Sequence, residues 1–335
     1  MSDVKWGIIG PGHIAHSFAK GLSESKNGRL CAVAGRNTER RDSFSDRFGV
    51  DQVGRFENHA NMLASDIDAV YIATPHPLHA ELSIEAICAG KHVLCEKPAG
   101  LTADEITSVI QAAQAHDVFF MEAVMYRCHP QITRLREVIK SGVIGTIEHI
   151  EASFGFKADY DPQSRLFNPD LAGGAIYDVG IYPVSFARLI AGFAHNKGFM
   201  NPIKLSGLSV SAPSGVDATA FAHLRFAGDI TATCSTSVMR EMSSDATIFG
   251  TFGKINLPEP WMPGRDTGPS DSEIIITKAD GVKTEVIKDK RMLFAHEAEA
   301  VSMAISAGKK EGPVSWQDSL GNAQAIDLWR SVANS

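Results

Sequence analysis

The sequence is poor in cysteine: five thiols in 335 residues, at positions 31, 88, 95, 128 and 234, an odd number without a C-x-x-C pair. That pattern excludes a disulfide framework and a clustered zinc site. It predicts reduced thiols that act as small buried hydrophobes, as for Cys31 in "RLCAVAG" and Cys95 in "HVLCEKP". No apolar run approaches the roughly 18 residues that a membrane-spanning helix needs, and the first residues enter a strand pattern without a signal-peptide profile. A soluble cytoplasmic protein with no membrane partner is expected. Basic residues are outnumbered, 32 Lys and Arg against 39 Asp and Glu, for a formal net charge of −7, and no Lys/Arg-rich run is present. A general nucleic-acid surface is therefore excluded, while a pocket for one phosphate still needs only one or two arginines. Hydrolase signatures are missing too: there is no Walker A loop and no G-x-S-x-G elbow, and "HEAEA" at His296 lacks the second histidine of a zinc-protease helix, so no metal is expected.

What is present begins almost at once. In "VKWGIIGPGHIAHSFAKGL" an apolar run from Val4 to Ile9 reads as a strand, and a helix pattern starts at about His13. Gly10, Gly12 and Ala15 fall between and after them as G-x-G-x-x-A. In a dinucleotide-binding β-α-β unit the first glycine permits the tight turn and the second admits a pyrophosphate. The third small residue lets helix and strand pack closely. The diphosphate sits on the free amides and positive dipole end of the helix, so His13 and Ile14 at its start join Gly10 and Gly12 as candidate cofactor contacts.

Further strands, "RLCAVAG", "DAVYIAT", "KHVLCE" and "DVFFMEAV", alternate with helix patterns and are apolar throughout. This is the mark of strands buried on both faces of a parallel, doubly wound sheet. Residues 1–124 read as that Rossmann domain. Beyond them a helix from about Pro130 to Ser141 and the strand "TIEHIEASFGFKA" lead to a glycine-rich helical segment. Then "IKLSGLSVSA", "DATAFAHLRFA", "DITATCSTSV", "DATIFGTFGKINL" and "SEIIITKAD" follow, alternating and bounded by turns. Residues 125–335 thus read as an α+β domain with an open, mainly antiparallel sheet. Two helices close it, near Phe294–Ala307 and Ser319–Ala333, and the fold class is α/β with two domains.

The carboxyl ends of the first domain's strands carry the remaining cofactor candidates, because ligands bind on that side of open α/β sheets. After the second strand stands "AGRN", with Arg36 where an acid would hold a free ribose 2′-hydroxyl. A guanidinium there fits a 2′-phosphate, which favours NADP, with NAD as the other choice. Arg40 and Arg41, one turn on, fit a phosphate or a solvated helix face equally well. "ATPHPLH" places Thr74, Pro75 and His79 at the next strand end, His79 doubling as a helix-start residue. "EKP" places Glu96 and Lys97 at the one after, and Pro98 holds Lys97 in extended geometry without fixing whether their peptide bond is cis.

Taken together, these residues resemble the oxidoreductase family named for glucose-fructose oxidoreductase, inositol dehydrogenase and rhizopine catabolism (Gfo/Idh/MocA). The resemblance runs over nearly the whole chain through "GIIGPGHIA", "ATPHPLH", "AGKHVLCEKPAG", "MEAVMYRCHPQ", "RLFNPDLAGGAIYDVGIYPV" and "HEAEAVSMAISAGKKEGPVSWQDSL". The branch it looks most like holds dimeric dihydrodiol dehydrogenase and NADP-dependent xylose dehydrogenase. That implies an enzyme that moves hydride between a nicotinamide and the hydroxyl or carbonyl carbon of a sugar, polyol or cyclic diol. It also implies a homodimer or larger homo-oligomer built on the open sheet face.

Carried over by motif, Lys97 and Tyr182 match the family's catalytic pair and Asp178 its accompanying acid. Met125 stands where dihydrodiol dehydrogenases have tryptophan, which speaks against an aromatic dihydrodiol. A free phenol near pKa ~10 is a poor base at neutral pH, so Tyr182 needs the Lys97 ammonium to favour its phenolate. Asp178, four residues earlier, shares a face with Tyr182 if the segment is α-helical, but Pro183 lacks the amide such a helix uses and predicts a kink. Arg165 in "RLFNP" and Phe156 in "SFGF" are further ligand-contact candidates, and Arg165 is counted with the cofactor set. Two other readings stay open: a relative that uses NAD transiently to cleave a glycosidic bond, disfavoured by tyrosine where those relatives have histidine, and a non-catalytic dinucleotide-binding regulator.

Overall fold

The structure, a computed structural model, describes residues 3–333. The chain forms two units, each assembled from three segments. The first holds the chain up to His129 with Gly264–Ser270 and Lys290–Leu320; the second holds Pro130–Pro263, Asp271–Asp289 and the chain from Gly321 onward. The polypeptide thus returns twice to the first unit from a stretch that a single break near residue 124 assigns to the second.

The first unit alternates β1 (Val4–Ile9), α1 (His13–Ser23), β2 (Gly28–Ala34), α2 (Thr38–Phe48), β3 (Arg55–Phe56), α3 (His59–Leu63), β4 (Ala69–Ile72), α4 (His79–Cys88), β5 (His92–Glu96), α5 (Ala103–Ala115) and β6 (Phe120–Ala123). The six strands pair in parallel in the order β3-β2-β1-β4-β5-β6. The order reverses at β1, and the crevice beyond the carboxyl ends of β1 and β4 is the ligand position of such sheets. Helices on both faces explain the unbroken apolar strands: every residue of β4 is buried. The two-residue β3 and the five-residue α3 were not expected, being too short to carry a periodic signal. Asn37 caps α2 by accepting the Arg40 amide at 2.8 Å, and Gly49, at φ 71°, ends the helix.

The second unit contains α6 (Pro130–Lys140), β7 (Ile147–Gly155), α7 (Ile181–Ala194), β8 (Lys204–Ser211), β9 (Asp217–Arg225), β10 (Thr231–Ser237), β11 (Asp245–Gly250), β12 (Gly253–Pro258), β13 (Ser272–Lys278) and β14 (Gly281–Ile287). Its eight strands run β14-β13-β12-β11-β7-β10-β9-β8. All neighbours are antiparallel except β7 and β10, which pair in parallel, so the sheet is mixed. Periodicity registers alternation but not strand direction, and β10 reaches β7 only after the chain has crossed through α7, β8 and β9. "DATIFGTFGKINL" is a hairpin of β11 and β12 turning at Thr251 and Phe252, not one strand, and β14 was not expected. α7 is buried from Ile181 to Gly192. Its one charge, Arg188, lies over the Phe199 ring at 5.0 Å and donates to the side chains of Asn201 at 2.7 Å and of Asn322. A helix with no polar face belongs to a core.

Two helices follow: α8 (Leu293–Ser306), in the first unit, and α9 (Trp316–Ala333), which opens there. α8 packs on α1, and the Trp6 indole donates to Ser302 Oγ at 3.1 Å. Arg127 donates to Asp318 at 2.8 Å, with both side chains almost completely buried. Among the described residues, no helix is long and apolar enough to cross a membrane.

Candidate functional site

In the first unit the candidate residues follow the carboxyl ends of four neighbouring strands. After β1, Gly10 has φ +88°, and a Cβ added there would stand 3.0 Å from the Ala73 carbonyl oxygen. The turn itself demands glycine at this position. Gly12 has φ −90°, and an added Cβ would meet nothing within 4 Å. Nothing in the fold forbids a side chain at Gly12. No side chain caps α1 and no acidic residue occupies its first turn, so the helix start has neither a capping acceptor nor a carboxylate of its own. His13 is exposed, Ile14 half-buried, and Ala15 fully buried between helix and sheet. A helix start without a cap, beside a glycine whose missing side chain leaves room, fits a diphosphate.

Beyond β2, Arg36 is exposed and its guanidinium has no partner among the described residues. Arg41, by contrast, donates to Asp42 at 2.9 Å. Beyond β4 come Thr74, whose buried hydroxyl has no hydrogen-bond partner, and Pro75, which is exposed. His79 is buried with Nδ1 2.7 Å from the Pro98 carbonyl and Nε2 2.8 Å from that of Thr74, so it clasps two strand-end loops together. Burial pushes its pKa down while the carbonyls oppose that shift.

Beyond β5, the carboxylate of Glu96 is buried and accepts from the Tyr71 hydroxyl. Lys97 is half-buried, and its peptide bond to Pro98 is cis. The loop behind it is held by Glu122, which accepts the Ala99 amide at 3.1 Å. Glu297 of α8 is completely buried with neither carboxyl oxygen hydrogen-bonded; burial first, and then the charge of Glu96, drive its pKa well up. Arg127 and His129 serve the fold of this unit: the first pairs with Asp318, and the Nε2 of the second lies 2.9 Å from the Ser270 carbonyl.

In the second unit, Gly173 and Gly174 lead into a turn of π-helix over Ile176–Gly180 that runs straight into α7. In that wider turn amides reach back five residues instead of four, so Asp178 and Tyr182 are not spaced as in the uniform α-helix expected. Pro183, in the first turn of α7, has no amide to donate, and the irregular turn stands directly before it. Asp178 is 4% exposed and accepts from Arg165 at 2.6 Å. Tyr182 is buried; its ring meets Phe154 edge-on at 5.1 Å and lies 6.2 Å from that of Trp261.

One residue of this region escaped the sequence reading. Asp217, at the start of β9, is buried and accepts the Ile176 amide at 2.7 Å. The two residues lie 41 positions apart, and "GVDATA" carries no local sign of that contact.

Comparison with known proteins agrees with this architecture. Residues 4–124 match the oxidoreductase family with an NAD-binding Rossmann fold, and residues 132–256 match the GFO/IDH/MocA C-terminal domain. A trans-1,2-dihydrobenzene-1,2-diol dehydrogenase of Mus musculus is 32% identical, covering 93% of this chain and 91% of its own. An uncharacterized oxidoreductase of Rhizobium meliloti is 31% identical, covering 98% and 96%. A crystal structure of a 3-ketoreductase from Actinomadura kijaniata with NADP and TDP-benzene superimposes with a TM-score of 0.86 at 26% identity, covering 98% of both chains. With an uncapped glycine turn at the switch point of its parallel sheet and a mixed sheet in its second unit, the chain belongs to the GFO/IDH/MocA family of NAD(P)-dependent oxidoreductases.

Proposed function

We propose that this chain is an NADP-preferring dehydrogenase or reductase that acts on a hydroxyl-bearing carbon of a sugar, polyol or cyclic diol. The observation that carries the reading is the space at Gly12, open to any Cβ and facing the uncapped start of α1. Gly10, Gly12, His13 and Ile14 would hold the diphosphate. Arg36 would hold a ribose 2′-phosphate, since it is the partnerless guanidinium at the β2 edge. Thr74, Pro75, His79, Glu96, Lys97 and Arg165 would complete the set, Thr74 with its unsatisfied hydroxyl and His79 by shaping the loops.

The nicotinamide, when bound, exchanges the hydride. Tyr182 takes the substrate hydroxyl proton in oxidation and returns it in reduction. The Lys97 ammonium would supply the positive charge that a developing alkoxide needs. Asp178, held by Arg165, orients the polar groups around Tyr182. Support for a diol or sugar comes from the dihydrodiol dehydrogenases and from the 3-ketoreductase with NADP. In this reading residues 1–124 bind the dinucleotide, and residues 125–335 bind substrate and mediate oligomerisation. The open sheet face carries exposed Leu208 and Val210 of β8 at one edge and exposed Val282 and Val286 of β14 at the other, which supports an oligomer built on that face. Five free thiols fit a cytoplasmic location.

The test is NADPH absorbance across a panel: D-xylose, D-glucose, myo-inositol and trans-1,2-cyclohexanediol with NADP, and 1,2-cyclohexanedione and diacetyl with NADPH. Turnover of at least one pair is expected. Cofactor binding with no turnover in either direction would point to a regulator, and sugar release from a glycoside without net reduction to a glycosidase.

A further inference from the structure

We propose that Asp217 is a positioning residue for this reaction: its carboxylate anchors the first amide of the turn over Ile176–Gly180 and so fixes how that turn presents Asp178 and Tyr182. The inference rests on the reading of Tyr182 as the proton-transfer group.

Asp217 Oδ2 accepts the Ile176 amide at 2.7 Å, the entry point of the helical segment that runs on to Ala194. Gly174 makes this approach possible. Its φ is +122°, and a Cβ there would stand 2.5 Å from Asp217 Oδ1. Gly173 is equally constrained, since its Cβ would lie 2.8 Å from the Leu166 carbonyl oxygen. The Gly174 carbonyl in turn accepts the Asp178 amide at 3.1 Å. Glycine pair, carboxylate and helix entry thus form one arrangement, with Asp178 inside it and Tyr182 one turn beyond.

An anion at a helix entry is favoured by the aligned peptide dipoles. From α9, Arg330 adds its charge, donates to the Tyr177 hydroxyl and lies over that ring at 4.1 Å. The first turn contributes Tyr177 and Asp178, the latter occupied by Arg165 at 2.6 Å. Beside Asp217, Thr219 of β9 and Ser237 of β10 share a hydrogen bond of 2.8 Å. Against these, burial pushes the carboxyl up to about 6. Asp217 is therefore ionised at neutral pH and protonated in mild acid, where the charge-assisted bond to Ile176 is lost. A residue needed only to pack strand against helix would be apolar; a buried acid is retained here for direction.

The test uses the whole enzyme and two readouts. In NADPH-dependent reduction of 1,2-cyclohexanedione, deprotonation of Tyr182 shapes the alkaline limb, leaving the acid limb to Asp217. For Asp217→Asn, kcat at neutral pH is expected to fall about tenfold with NADPH affinity within about twofold, and the wild-type acid limb near pH 6 should vanish. Independently of any substrate, hydrogen-exchange protection of amides 176–182, corrected for intrinsic rates, should be about tenfold lower in Asp217→Asn than in the wild type at pH ~7, where the ionised carboxylate holds the Ile176 amide. Unchanged kcat with the acid limb intact, or equal protection of these amides in both proteins at that pH, overturns the proposal. Tyr182→Phe assayed alongside separates the failures. An inactive Tyr182→Phe with an unaltered Asp217→Asn removes only this inference, whereas a fully active Tyr182→Phe removes the reading beneath it as well.

Discussion

The Gly12 amide donates to the Gly10 carbonyl at 2.8 Å, yet the two residues lack side chains for different reasons. Gly10 is required by its own backbone at φ +88°, whereas Gly12 lies in an ordinary region at φ −90° with open space where a Cβ would go. Gly12→Ala should therefore leave the melting temperature within about 2 °C and weaken NADPH binding about tenfold or more, as read by thermal unfolding and fluorescence titration. Equal affinity in variant and wild type would place the diphosphate elsewhere.

Arg36→Ala removes the unpaired guanidinium at the β2 edge. NADP affinity should drop at least about tenfold while NAD affinity stays within about twofold, because only the former carries the phosphate that a charge-assisted bond would hold. Parallel losses for both dinucleotides would refute the phosphate pocket.

Tyr182→Phe keeps the ring that packs against Phe154 and Trp261 and deletes the hydroxyl. Turnover should fall by about two to four orders of magnitude with cofactor affinity unchanged. Steady-state kinetics beside NADPH titration decides it.

Asp318→Ala should destabilise the protein by about 3–5 kcal/mol, because it strands Arg127 in the interior, both partners being almost wholly buried. Replacing both residues by Leu and Met should recover much of the loss. Denaturant unfolding of the wild type and the two variants makes the comparison.

Asp217 ties stability to pH with a defined sign. Its folded-state pKa is raised, from 3.8 to about 6, so its favourable contribution is complete below 3.8 and disappears as pH rises through 6. The wild type should gain about 2 kcal/mol relative to Asp217→Asn between pH ~7 and ~4. Unfolding free energies of the two proteins across that range measure the difference, in which titrations common to both cancel.

How far the sequence spoke depends on the range of the interaction. The strand from Val4 to Ile9 and the helix from Thr38 to Phe48 were legible to the residue, because periodicity, an Asn cap and a terminal glycine are local signals. Strand direction was legible in the main, parallel in the first sheet and mainly antiparallel in the second, but the one parallel pair there, β10 with β7, was not, since it depends on contacts between residues about 80 apart. In the candidate site the same division holds. Gly10, Gly12 and Arg36 announce themselves by spacing after a strand. His79 read as a helix start or a ligand contact, and its clasp on the Pro98 carbonyl emerges only in three dimensions. Asp217 gave no sign at all, since its partner Ile176 belongs to another element.

The return of Lys290–Leu320 to the first unit bears on how the protein is born. Trp6 leaves the ribosome 296 positions ahead of Ser302, its indole's acceptor. α1 likewise waits for α8. The nucleotide-binding half therefore closes only after these late segments have been made. A fragment cut where its last parallel strand ends would lack the helix that covers α1, and grafting this half onto another protein requires carrying the late segments with it.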